Sequence, residues 1–374
     1  MTTSTTGWCL IVAGITGLVT AFLLAQAPPA IVTGPDGTVD ASKYGVTPGI
    51  DCTVAFKRLV GPELPKHATI LLPPGRLTVS ATVDARTGVK NAFHVDHLWL
   101  QGAGAVPGNL GTTIKGNVAG ALVAYNAAGF DAAASVRIDG ISFVNDHPAG
   151  IGLQLERIDS GTIRSCVFGP SHRGLVIGSK LATNVEISVR DCAFIGSLAR
   201  FPAGIGASLN MHGHVDTIVA TQWGDAAIEL TRQVDVSHAR LEQNRCGVRT
   251  GTTLGASRPY SGHISGLTTE ATITPIQITK NTQYAKFSVL KIHGTGNALG
   301  NPTAGFDAQP GSGPITIDTA AITGAFSVAA IRLDGQGPVV ALNVTGAVTN
   351  ATGTPWQVGM APAKLTTLQS NLGP

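Results

Sequence analysis

One phrase returns along the chain at nearly constant intervals. VRIDGISFVN starts at Val136, TIRSCVFGP at Thr162 and SVRDCAFIGS at Ser188. Each reads apolar-x-x-apolar-x-Phe: Ile138, Ile141 and Phe143, then Ile163, Cys166 and Phe168, then Val189, Cys192 and Phe194, in steps of 25 and 26 residues. Looser copies follow at Val215, Val236, Ile264, Val289, Ile317 and near Leu342. A second short phrase trails each early copy: GIGLQL at Gly150, RGLVIG at Arg173, GIGASL at Gly204, AAIELT at Ala226, CGVRTG at Cys246 and TPIQIT at Thr274. A period between about 20 and 50 residues marks a repeat architecture. Short apolar runs with β-branched residues and no helical periodicity make each unit a set of strands and turns. One such coil cannot bury its inner face alone, whereas stacked coils bury a continuous core. The chain is therefore expected to be all-β, a right-handed parallel β-helix of about nine coils or more at ~4.8 Å each. Stacking then sets Phe143 on Phe168 on Phe194, and Cys166 beside Cys192 at inward positions.

Composition narrows the function classes. Charged residues make up only 13% of the 374, and the formal net charge is +3. With no basic run and no RNA-binding signature, nucleic acid is not an expected partner. Five cysteines, an odd number without a CxxC pair, argue against a zinc site or a disulfide framework. Free buried thiols are the default, with a Cys166–Cys192 disulfide as the alternative. His212-Gly213-His214 lacks a third ligand at recognisable spacing, so neither a metal nor a cofactor is expected.

The head of the chain stands apart. Trp8 to Ala25 carries no charge over 18 residues, and Ala25-Gln26-Ala27 resembles a signal-peptidase site. The first seven residues hold no Lys or Arg, however, and Pro28 would follow the cut. A secretion signal, a retained membrane anchor and an apolar plug in a larger assembly all remain open, so residues 8–25 are a candidate attachment to a membrane or virion. The expected division is an apolar segment over 1–30, an N-terminal cap and first coils over 31–135, the β-helix over 136–350 and a tail over 351–374.

Residues 40–115 carry a further signal: DASKYGVTPGIDCTVAFKRLV, ILLPPGRLTVS, LWLQGAG and TTIKG. They resemble the opening of the pectate-lyase-like β-helix superfamily, through Asp40, Tyr44, Gly45, Asp51, Thr53, Ala55, Leu72, Pro73, Gly75, Leu100, Gly102 and Gly104. Val46 and Leu77 depart from that pattern. The resemblance implies a short helix after Asp51, with Asp51 or Thr53 as its N-cap, closing the end of the rod. It also implies a polysaccharide as partner. Members include pectin and rhamnogalacturonan lyases, polygalacturonase-type hydrolases and phage tail-spikes, among which fold alone does not choose.

The polygalacturonase carboxylates have only partial echoes here, Asn145-Asp146 and Gly224-Asp225. The third motif reads Asn244-Arg245-Cys246-Gly247 without a His, and Lys291-Ile292-His293 is a poor match to the fourth. Asp146 and Asp225 fall three rungs apart, ~14 Å, against the ~6.5–9.5 Å of an inverting pair. A different set fits the spacing better. Glu242 lies six residues beyond Val236, and Glu270 six beyond Ile264. The two acids are thus predicted in one column on adjacent rungs, with Asp225 entering one rung earlier. Two stacked acids repel, so one holds its proton to higher pH, as glycoside hydrolysis needs. Asp225, Glu242 and Glu270 are the candidate catalytic set. Arg245, Arg249, His172, Arg173 and Asp146 are candidate substrate contacts, and Trp223 is a candidate for stacking on a sugar. The plainer alternative is a solvated ladder in which Arg240, Arg245 and Arg249 neutralise those acids, as Arg164 and Arg190 would neutralise Asp139 and Asp216. Trp223 would then be core. A calcium-dependent lyase is disfavoured because no cluster of acids is found. Two functions follow: an extracellular enzyme on polysaccharide, or a noncatalytic, homotrimeric spike-type protein of a virion or cell surface.

Overall fold

The computed structural model describes residues 29–61, 63–65, 67–85, 97–105, 110–126, 135–178, 185–251 and 259–334, and the strands over 339–350, 356–358, 365–367 and 370–373. The apolar segment 8–25 lies outside the described residues. Every strand pairing recorded is parallel, in one sheet of 20 strands and another of 11. Each rung crosses three faces. The first holds strands such as Ser135–Asp139 and Ser160–Arg164, and the second Ile141–Asn145 and Val167–Phe168. The third holds Ile151–Glu156, Arg173–Ile177, Ile205–Asn210, Ala226–Thr231 and Cys246–Thr250. The 11 strands of that face make a stack roughly 48 Å tall. The protein is an all-β parallel β-helix.

The corner between the first two faces has a simple backbone cause. One residue per rung there is left-handed: Gly140, Ser165, Asp191, Thr217, His238, Gly266 and Val289, with φ from 50 to 65°. A single αL residue between two extended ones turns the chain sharply, and polar residues or glycine tolerate it best. Val289 is the apolar exception, and both it and Thr217 are β-branched. At the other end of the second face, Asn145 and Asn244 are fully buried. Asn145 bonds the backbone of Val118, Gly120 and Ile151, and Asn244 that of Trp223 and Ala220. These asparagines satisfy turn amides and carbonyls that the ladder leaves over. The asparagine of the Asn145-Asp146 echo is thus architectural, and Asn244 plays the same part in its own turn.

The core follows the repeated phrase. Phe143, Phe168 and Phe194 stack with centroids 5.4 and 5.0 Å apart and planes 7° and 12° from parallel. Cys166 and Cys192 are buried, free thiols in neighbouring positions. Burial, with a hydrogen bond to Cys192, pushes the Cys166 thiol well up. The second phrase has its own cause. In four of its six copies the strand's second residue is a glycine, Gly152, Gly174, Gly206 or Gly247, where an added Cβ would stand 2.4–2.5 Å from the next rung's carbonyl oxygen. Ala227 and Pro275 take the position in the other two copies, AAIELT and TPIQIT.

At the N-terminal end, Asp40 accepts the Ser42 amide to start a 3-10 turn over Ala41–Tyr44. Helix α1, Thr53–Leu59, buries Phe56 and Leu59. Its N-cap is Cys52, which makes no side-chain cap bond, while Asp51 accepts the Thr53 amide at 3.0 Å. Bonds from Ser80 and Thr53 hold the Asp51 carboxyl down at about 2. The stack reaches past 136–350 in both directions. Thr112–Gly116 pairs onto Ile141–Asn145, and Trp356–Val358, Leu365–Thr367 and Ser370–Gly373 pair onto the strands before them.

Candidate functional site

On the third face, Ile228 and Leu230 turn into the core, so Glu229 between them turns outward. Register aligns Ser208, Glu229, Arg249, Gln277, Asp307 and Arg332 in that outward column, one per rung. Their side chains interlock. Arg249 donates to Asp225 Oδ1 at 2.6 Å and Oδ2 at 3.1 Å, to Glu229 Oε1 at 3.0 Å and to Gln277 Oε1 at 2.8 Å. Glu229, fully buried, also accepts from Ser208 at 3.1 Å and lies 3.6 Å from Arg173. Arg173 in turn donates to Ser208 at 2.8 Å. Burial pulls the Arg249 pKa down, but the bond to Asp225 and the surrounding negative groups raise it on balance. Three rungs beyond Arg249, Arg332 forks back onto Asp307 at 2.7 and 2.8 Å. Burial raises the Asp307 pKa, against the pull of Arg332.

Beside this column runs an open groove of about 600 Å³. Asp225, Arg249, Gln277, Lys280, Gln309 and Arg332 line it, with Thr279 and Asn281. It spans five rungs, ~19 Å along the axis. Gly251 and Pro310 complete the lining, and its hydrogen-bonding groups sit on regular strands and in the turns at their ends, which fixes their spacing. Among the described residues no group of three or more His, Cys, Asp or Glu is placed to hold a metal ion.

The structure brings some of the predicted residues together and separates others. Glu242 and Glu270 are direct register partners on adjacent rungs of the second face. Arg240 is ion-paired with Glu242, and His293 follows Glu270 in the column. Asp225 does not point to them; its carboxylate is turned across the corner to Arg249 on the third face. Asp225, Arg249 and Arg173 instead join one network, and the field of Asp225 reaches His172, whose pKa burial and Arg173 together lower. Arg245 is exposed, and its amide bonds the Trp223 carbonyl at 3.0 Å. Asp146 lies rungs away, held by Lys115 at 2.9 Å and Arg200 at 3.0 Å.

Trp223 requires correction as a sugar platform. Its side chain is 1% exposed, and its indole N–H donates to the Phe194 carbonyl at 3.0 Å. A ring enclosed on both faces cannot stack on a ligand. Sequence reasoning missed Ser208, Glu229, Gln277, Asp307 and Arg332. The signal was there: aligned on their apolar positions, GIGASL, AAIELT, CGVRTG and TPIQIT place Ser208, Glu229, Arg249 and Gln277 at one outward position.

Parallel strands wound on three faces around one apolar core make this a parallel β-helix protein, the class its opening segment resembles. No protein-family model and no curated protein matches the chain. Among solved structures it is similar to ORF18 of Geobacillus virus E2, with TM-score 0.56 and 12% identity over 98% of this chain and 64% of that one. It thus spans less than two thirds of the viral protein's length. It is also similar to the catalytic unit of a thermostable GH87 α-1,3-glucanase from Streptomyces thermodiastaticus, with TM-score 0.55 and 16% identity over 91% and 69%. Identities this low carry the fold alone.

Proposed function

We propose that the chain is a polysaccharide-recognising β-helix protein that grips a linear glycan along the third-face groove. The observation that carries this reading is the groove itself, ~19 Å long, parallel to the axis and lined by amide, hydroxyl and charged groups at rung spacing. A polymer of hydroxylated rings can lie in such a track with one set of hydrogen bonds per rung, and the rigid ladder removes most ordering cost from the protein side. Its solved neighbours, a viral protein and a glucanase, fit a surface-glycan setting. We place the protein outside the cell or on a virion, attached through residues 8–25. It would act as a homotrimer, whose contact the exposed Ile195 and Val219 on the second face favour.

Glycoside hydrolysis is the second reading, favoured by the in-register Glu242 and Glu270. Against it, Asp225 and Glu242 are both tied to arginines, and Asp225 lines the third-face groove whereas Glu242 and Glu270 do not.

The test is a polysaccharide panel scored for binding and for new reducing ends, with mass in solution measured by light scattering. A trimer that binds without cutting, and weakens about tenfold in Gln277→Ala/Lys280→Ala, supports the groove. Release of sugar that Glu242→Gln or Glu270→Gln abolishes would replace it with the hydrolase.

A further inference from the structure

A second surface has the chemistry that Trp223 lacks. In the first-face strand His97–Gln101, Leu98 and Leu100 are buried, so Trp99 between them faces outward and is half-buried. Its indole N–H donates to Ser135 Oγ at 3.2 Å, which fixes the ring's orientation. The ring is braced by His97 at 5.2 Å and by His67, an exposed turn residue, at 6.0 Å between centroids. On the next rung the same column carries Arg137, ~4.8 Å away along the axis. Arg137 is exposed and makes no ion pair among the described residues, whereas Arg164, one rung further, is taken by Asp139. Thr162 and Ser188 continue the column with hydroxyls.

We infer that Trp99 and Arg137 form a second saccharide site, on a different face from the groove, which takes an acidic sugar. An indole offers a flat apolar surface to the C–H face of a pyranose ring. An unpaired guanidinium one rung on presents two parallel donors to a carboxylate. The spacing of the two matches one ring and its carboxyl substituent. Preorganisation separates this indole from a merely exposed one, because Ser135 and two imidazoles already hold it and binding need not order it. The inference rests on the polysaccharide reading for its ligand class, but not on the groove.

The experiment is a titration of the full chain with a uronic-acid oligosaccharide and with its neutral counterpart of the same linkage, read by calorimetry and tryptophan fluorescence. Trp99→Ala and Arg137→Gln should each weaken the acidic oligomer about tenfold. Trp99→Phe should keep most of the affinity but lose the fluorescence change. Arg137→Gln should leave binding of the neutral oligomer unaltered, and Gln277→Ala/Lys280→Ala should leave the Trp99 signal intact. If Trp99→Ala and Arg137→Gln bind as the parent does while the groove variant loses binding, the site is overturned and the groove stands. The converse sustains the site and removes the groove. Failure of the parent to bind either oligomer overturns both.

Discussion

The third and second faces both carry acids in rung-spaced columns, yet they treat them differently. On the third face Glu229 is fully enclosed, and Arg249 spans it, Asp225 and Gln277 in one network. On the second face Glu242 and Glu270 stand side by side toward solvent, with Arg240 bound to one of them. The difference teaches that a ladder alone does not make a site. The same register that stacks two carboxylates also stacks an arginine between a glutamate and a glutamine, and burial decides how much each arrangement matters. Where charges are enclosed they must be satisfied within the protein, and their fixed positions give the adjacent groove its shape. Where they are exposed, water screens them and little depends on their exact partners.

Removing the guanidinium from each face should expose that contrast most sharply. Arg249→Ala leaves Glu229 buried and Asp225 unpaired, and should destabilise the fold by roughly 3 kcal/mol. Arg240→Ala should shift stability by less than about 1 kcal/mol, because that pair is exposed. Urea unfolding of both variants makes the comparison, and equal losses would mean that burial does not separate the faces. The couplings come next in size. A double-mutant cycle of Arg249→Ala with Asp225→Asn should return a coupling above about 1 kcal/mol, and one of Arg240→Ala with Glu242→Gln close to zero.

Much of this contrast could be read from the chain and some could not. The 25-residue phrase predicted the winding, the phenylalanine stack and the column of Glu242 and Glu270, because β-strand period and coil length are both written in apolar residues. Asp225 was misdirected for a definable reason. It sits at a corner, where turn length rather than strand period sets direction, and a residue there can serve either face. Trp223 was ambiguous by nature, since a lone aromatic before a Gly-Asp turn reads equally as platform or core. The tail beyond 350 held strands of three or four residues, too short for periodicity to register.

A smaller effect concerns catalysis. Glu242→Gln and Glu270→Gln should leave both unfolding free energy and groove affinity within experimental error of the parent, since neither side chain lines the groove. If either substitution loosens glycan binding severalfold, the two faces share one ligand and their functional separation fails.

The smallest expected effect is a pH signature with opposite signs at two aspartates. Burial raises the Asp307 pKa above its unfolded value near 3.8, with Arg332 opposing and Asp334 adding to the rise. Its contribution to stability is therefore present below that value and lost as pH climbs through the folded pKa. At Asp146 burial also pushes upward, but bonds from Lys115 and Arg200 outweigh it and lower the pKa from the same reference. Asp146 thus contributes stability above about pH 4, and the contribution disappears as pH falls through the folded value. Thermal melts taken from about pH 3 to pH 6 should show Asp307→Asn gaining on the parent as pH rises and Asp146→Asn losing ground over the same range. Parallel curves for Asp307→Asn and the parent would show that Arg332 fully offsets the burial. The third-face acids would then be no more strained than the turn aspartate at the other end of the rod.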